Sequence, residues 1–344
     1  MKQFQCDYNE GAHPLILQRL CESNMEQTIG YGEDHYCHQA REMIRKACNN
    51  ENIDVHFLVG GTQTNTTVIA HTLRPYQGVI SAVSGHINVH ETGAIESTGH
   101  KVLAVASDNG KLTAKQIEDT MQAHIHEDGP EHMVQPGMVY ISFPTEVGTI
   151  YSYHELEAIS AVCRKYALPL FVDGARLGYG LCSPESDITL PQLAQLADVF
   201  YIGGTKVGAL FGEAVVIAND TLKRDFRYSI KRHGGMLAKG RLLGIQFATL
   251  FTDNLYMHIA QHAVDEAMRI KAALQSKGFE FLIDSPTNQQ FPIFNNEQLE
   301  RLAKDYTFSV WQKIDEQHTA VRICTSWGTK SENVDRLIKD IENL

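Results

Sequence analysis

Two hydrophobic periods alternate along most of this chain. Short apolar runs closed off by glycine or polar residues occur at 55–59, 78–83, 101–106, 138–143, 170–172 and 197–203, and each predicts a buried strand. Helical spacing fills the stretches between them, at 15–25, up to about residue 49, at 63–73, after Thr113, after Ser152 and at 191–196. In the Ser152 stretch, Leu156, Ile159, Cys163 and Tyr166 fall on one face. Thr113 with Gln116 and Ser152 with Glu155 have the spacing of capping boxes, which start helices. Strands alternating with helices predict a mainly parallel sheet covered on both faces.

Beyond about residue 242 the pattern changes. One long helix is predicted over 242–275, followed by strands at 279–283, 290–294, 308–314 and 320–324 and helices at 297–306 and 331–344. The expected class is α/β, with a large domain over residues 1–245, N-terminal segment included, and a small C-terminal α+β domain over 246–344.

Composition narrows the function classes. The 344 residues can bury a large core, and 43% hydrophobic with 21% charged residues is ordinary for a globular protein. A formal charge of −11 argues against a nucleic-acid partner, which demands clustered Lys and Arg. No apolar run approaches the length of a membrane span, and the N-terminal residues show no secretory h-region. Seven scattered cysteines without a C-x-x-C pair suit reduced thiols, so a cytoplasmic location is expected.

The candidate chemistry gathers where strands end. The run Ala197–Gly203 breaks into Gly204-Thr205-Lys206. A lysine behind a core strand needs a partner, solvent or a chemical use. It reads as a surface lysine on a turn, a phosphate-binding lysine, or an amine that forms a Schiff base with a carbonyl cofactor; the G-x-x-x-x-G-K-[ST] pattern is absent. Gly60-Gly61-Thr62, between a strand and a helix, offers unpaired N–H groups to an anion. Asp173 follows another strand, so it and Lys206 should share the sheet edge where such folds bind ligands. His86 could stack on a flat ring. His86 and His90 lack H-E-x-x-H and a third ligand, and His124, His126, Glu127 and Asp128 suit a solvated helix end, so no metal is expected. Arg322, inside the apolar run Val321–Cys324, suits either a structural ion pair or a carboxylate. Taken together, a phosphate cradle, an acid, an amine, a flat ring and an arginine match the needs of pyridoxal phosphate.

On Tyr31-Gly32-Glu33-Asp34, Gly60-Gly61-Thr62, His86, Asp173-Gly174-Ala175-Arg176-Leu177, Lys206 and Arg322, the chain resembles the threonine aldolase/β-eliminating lyase family over nearly its whole length. These are pyridoxal-phosphate enzymes with the aspartate-aminotransferase type of fold and a seven-stranded-type sheet. The resemblance implies that Lys206 holds the cofactor covalently, Asp173 pairs with its ring nitrogen, His86 stacks on the ring, and Gly61 and Thr62 hold the phosphate. It also implies that Arg176 and Arg322 bind the substrate carboxylate, with Arg176 close to the cofactor as well. His86 or His132 would serve as base. Cys6 replaces a common serine, and Gly234-Gly235-Met236-Leu237 lacks a common arginine, which Lys239 or Arg241 could replace across a subunit interface. Ser142-Phe143-Pro144-Thr145-Glu146 replaces Glu-Asn-Thr-His. The implied reaction is retro-aldol cleavage of a β-hydroxy-α-amino acid by a homodimer or homotetramer, with Tyr31 and its neighbours reaching toward a substrate in a shared site. β-Elimination, racemisation and a non-catalytic binding protein stay open as alternatives.

Overall fold

Lys2–Gln3 (β1) pairs in parallel with Tyr306–Thr307, at the far end of the chain. Phe4 is consequently buried with Ile270, Val321, Ile323 and Leu337. The N-terminal segment, read from sequence as part of the large domain, packs on the C-terminal unit. The computed structural model describes residues 1–344.

The apolar runs form one seven-stranded sheet: Asp54–Leu58 (β2), Gln77–Ala82 (β3), Val102–Val105 (β4), Gln135–Ser142 (β5), Leu170–Asp173 (β6), Val199–Gly203 (β7) and Glu213–Ile217 (β8). Their order is β2-β8-β7-β6-β5-β3-β4. From β7 through β6, β5 and β3 to β4 every pairing is parallel, whereas β8 runs antiparallel to both β7 and β2. Sequence patterning does not single out β8. Its run of Ala214, Val215, Val216 and Ile217 directly follows the glycine-rich turn after β7 and is masked by it.

Alternation along each strand divides the sheet between two cores. Ile80, Val139, Ile141, Val172, Phe200 and Ile202 face one. Val79, Met138, Tyr140, Phe171, Val199 and Tyr201 face the other, with Val68 and Ile69 of the helix Gly61–Thr72. The period of two puts Asp173 on the second face, level with Ser142.

The predicted 242–275 helix is two helices, Arg241–Leu250 and Leu255–Ser276. Asp253 and Asn254 adopt positive φ between them, at 50° and 58°, a conformation these two residue types tolerate best. The 279–283 run is not a strand and makes only an isolated bridge, Phe281 to Pro292. Pro292 also divides the 290–294 run into Gln289–Gln290 and Ile293–Asn295, since it cannot donate to a ladder. His318–Cys324 is the centre of the antiparallel C-terminal sheet.

Candidate active site

The parallel strands β5, β6 and β7 end at the same edge, and the site is assembled from their last residues and the turns beyond. Asp173 closes β6 and is buried. Its Oδ1 accepts from the Tyr201 hydroxyl at 2.5 Å and the Ala175 N–H at 3.0 Å; its Oδ2 accepts from the Tyr140 hydroxyl at 2.6 Å and Asn65 Nδ2 at 3.1 Å. Burial pushes this carboxyl up, but the facing His86, the two tyrosine hydroxyls and the Ala175 N–H outweigh it and hold Asp173 below its ordinary value. Asp173 is therefore an anion kept in place on four donors.

Lys206 follows β7 by three residues. Its carbonyl accepts from the Tyr179 hydroxyl at 2.5 Å, while its Nζ makes no hydrogen bond or ion pair within the protein. Burial, then the Arg176 charge, lower its amine; Asp7, Asp173 and Glu213 oppose them without prevailing. A half-buried amine of reduced proton affinity is a nucleophile suited to a carbonyl.

His86 opens the short helix His86–Val89, and its Nδ1 lies 2.8 Å from Glu91 Oε1. Asn65 Nδ2 donates to that same Glu91 oxygen at 2.7 Å, so one amide ties the His86–Glu91 pair to Asp173. Glu146 accepts from the His86 backbone N–H at 2.9 Å and from Ser142 Oγ at 2.6 Å. Asn65, Glu91, Tyr140, Glu146 and Tyr201 are not singled out by the sequence pattern. The two tyrosines do leave a signal, since a phenol inside an apolar strand must find a partner.

Gly61 and Thr62 start the helix Gly61–Thr72 behind Gly60, which supplies no side-chain cap. A Cβ on Gly61 would stand 3.2 Å from the Tyr201 hydroxyl. The uncapped N–H groups thus adjoin the tyrosine that grips Asp173, and they form an anion cradle beside it.

Arg176 is not free for a ligand in the way the sequence suggests. Its Nε and Nη2 hold Asp7 Oδ2 and Oδ1 at 2.6 and 3.0 Å, leaving Nη1 without a protein acceptor. Asn288 donates to Asp7 at 3.0 Å. Arg322 comes close by: its Nη1 donates to Gln289 at 3.2 Å, its Nη2 to the Gln5 carbonyl at 2.9 Å, and its buried Nε has no partner. Cys6 adjoins Asp7 and directs its thiol at Asn9 Oδ1, 3.0 Å away.

Three expected residues do not join this edge within one chain. His132 sits in the exposed turn Pro130–His132 before β5. Ser142, at the other end of β5, is level with Asp173, which leaves His132 about 25 Å away at the opposite edge, at the usual rise per strand residue. Tyr31 and exposed Lys239 occupy another strip, where the Tyr31 N–H donates to the Ala238 carbonyl at 3.1 Å. Beside that strip, Gln63 of the helix that starts at the anion cradle donates to the His233 carbonyl at 3.4 Å. No group of three or more His, Cys, Asp and Glu side chains is arranged to hold a metal ion.

The chain is similar over its full length to known proteins. The family model described as Beta-eliminating lyase matches residues 10–296. A low specificity L-threonine aldolase of Pseudomonas aeruginosa is 31% identical over 99% of this chain and 97% of its own length. A solved structure of Leishmania major threonine aldolase superposes with a TM-score of 0.97 at 43% identity, covering 100% of this chain and 99% of that one. A putative L-allo-threonine aldolase from Listeria monocytogenes shares the fold, with a TM-score of 0.75 at 18% identity over 99% of this chain and 96% of that one. The chain belongs to the beta-eliminating lyase family.

Proposed function

We propose that the protein uses pyridoxal phosphate to cleave β-hydroxy-α-amino acids, threonine and allo-threonine first among them, to glycine and an aldehyde. The observation that supports this most is the convergence of Lys206 and the anionic Asp173 on one strand edge, in a chain alike over its full length to threonine aldolases. The residues fit the cofactor: an uncapped helix start for the phosphate, a buried anion for the ring nitrogen, and an amine of lowered proton affinity for the aldehyde. When bound, the cofactor supplies an electron sink for the pair released at the substrate's α-carbon.

The chain's own groups divide the remaining work. Gly61 and Thr62 N–H groups hold the phosphate, and Asp173 keeps a proton on the ring nitrogen. Tyr140, Tyr201 and Asn65 prevent that carboxylate from turning away. His86, fixed by Glu91, presents its ring face to the cofactor. Arg176 offers its Nη1 to the substrate carboxylate, with Cys6 alongside, and Arg322 joins it by releasing Gln289 or the Gln5 carbonyl. Lys239 serves as a phosphate contact and Tyr31 as a substrate contact only if a second copy brings their strip to this edge. A homodimer or homotetramer with shared sites therefore belongs to the reading, as do a cytoplasmic location and a division near residue 245, the first residues packing with the C-terminal part.

The test is a panel of β-hydroxy amino acids, serine and cysteine, with glycine, aldehyde and pyruvate all measured. Glycine and aldehyde in equal amounts support the reading. Pyruvate from serine or cysteine without any aldehyde would replace it with β-elimination.

A further inference from the structure

The retro-aldol reading needs a base for the substrate's β-hydroxyl, and both histidines expected from sequence are poorly placed for it. His132 lies at the wrong edge. A His86 ring lying flat on the cofactor points its nitrogens within its own plane, and Nδ1 is already bonded to Glu91.

Resting on that reading, we propose that Glu146 is the catalytic base, accepting the β-hydroxyl proton on its Oε2. Glu146 lies four residues beyond Ser142, the β5 residue level with Asp173. Its Oε1 is fully committed to the His86 N–H at 2.9 Å and to Ser142 Oγ at 2.6 Å. These bonds and one from its own backbone N–H fix the carboxyl, and Oε2 is not among the sealed, unpaired atoms. Glu146 is half-buried, and its carboxyl lies against the backbone of His86.

Burial raises the proton affinity of Glu146, the Ser142 hydroxyl, its own backbone N–H and that of His86 lower it, and the facing Asp173 anion raises it; the net direction is upward. Tyr140 and Tyr151 feel its charge, and His86 lies against it. A carboxylate of raised proton affinity takes a hydroxyl proton more readily than an ordinary one.

In the step, the hydroxyl proton passes to Oε2 and the O–H electron pair becomes the second bond of the aldehyde C=O. The Cα–Cβ bond breaks and its electron pair stays with Cα. Cα then takes up a proton and becomes the methylene of glycine, so one proton leaves oxygen and one arrives at carbon.

The experiment compares cofactor-loaded wild type, Glu146→Gln and Glu146→Asp in two reactions: aldehyde release from threonine, and solvent exchange of the glycine α-proton, which involves no β-hydroxyl. Glu146→Gln should lower kcat for aldehyde release about 10²- to 10⁴-fold, the range of general-base catalysis. It should also flatten the rising limb of the pH profile and leave glycine exchange largely intact. Glu146→Asp should recover part of the loss. In cofactor-free protein, carbon-13 NMR of the Glu146 carboxyl should titrate above the ordinary glutamate range. Wild-type aldehyde release by Glu146→Gln, equal loss of both reactions, or an ordinary titration would each overturn the assignment alone. A wild type that releases no aldehyde from any β-hydroxy amino acid would overturn the parent reading and this one with it.

Discussion

Arg176 grips Asp7 through two of its nitrogens, across 169 residues of sequence, at 2.6 and 3.0 Å. The pair fastens the N-terminal segment to the loop after β6. Both side chains are almost fully buried, at 11% and 0% exposure, so neither charge can fall back on solvent. Burial alone would push the Asp7 carboxyl up, but the Arg176 and Lys206 charges and the bonds from Arg176 and Asn288 hold it at about 2. A depressed carboxylate stabilises the fold above its unfolded value, near 4, and loses that contribution as pH falls through about 2.

Asp7→Ala should therefore cost about 3–5 kcal/mol at neutral pH, because a buried guanidinium is left unpaired. Urea unfolding at pH 7 and pH 2.5 measures it. The difference between wild type and variant should shrink at the lower pH by no more than about 2 kcal/mol, the worth of the Asp7 shift.

Asp173→Asn should fold, since Tyr140, Tyr201 and Asn65 can still bond to an amide. It should nonetheless lower kcat/KM for aldehyde release by about 10²- to 10³-fold, the scale of losing one preorganised electrostatic contact. Steady-state kinetics with matched cofactor occupancy checks this. An unchanged kcat/KM would remove Asp173 from the chemistry.

Glu213 begins β8 and accepts from the Gly204 N–H at 3.0 Å, bracing the turn that carries Lys206. Burial pushes its carboxyl up to about 8, against the bond from Thr205, the Lys206 charge and the bond from Gly204. Its negative charge in turn raises the Lys206 amine. Glu213→Gln should consequently lower the pH at which Lys206 becomes reactive. The pH dependence of reductive methylation at Lys206, read by mass spectrometry, measures the shift, and its direction is the prediction.

His132→Ala should leave stability within about 0.5 kcal/mol, as expected for an exposed side chain without special contacts, and leave kcat unchanged. A large loss of kcat with intact folding would mean that a neighbouring copy supplies His132 to the site.

The frame is legible in the sequence wherever the signal is local. The two anticipated capping boxes, Thr113 with Gln116 and Ser152 with Glu155, both form. Asp173 and Lys206 can be assigned to one edge because parallel strands separated by helices leave little choice of topology. Signals fail where partners are distant in the chain. Nothing near Arg176 announces Asp7, and nothing near His86 announces that Asn65 links Glu91 to Asp173, 108 residues further on. Glu146 reads as a departure from an expected pattern, although it lies against His86. His132 misleads for the opposite reason: it is near β5 in sequence, but the length of that strand separates it from the edge where the chemistry gathers.

Every role proposed for these residues depends on Lys206 binding the cofactor covalently with Asp173 close by. Borohydride reduction of the cofactor-loaded protein, with peptide mapping by mass spectrometry, tests it most directly. A pyridoxyl group should appear on Lys206 and be absent from Lys206→Ala. Modification at another lysine, or at none in protein that cleaves threonine, would contradict it.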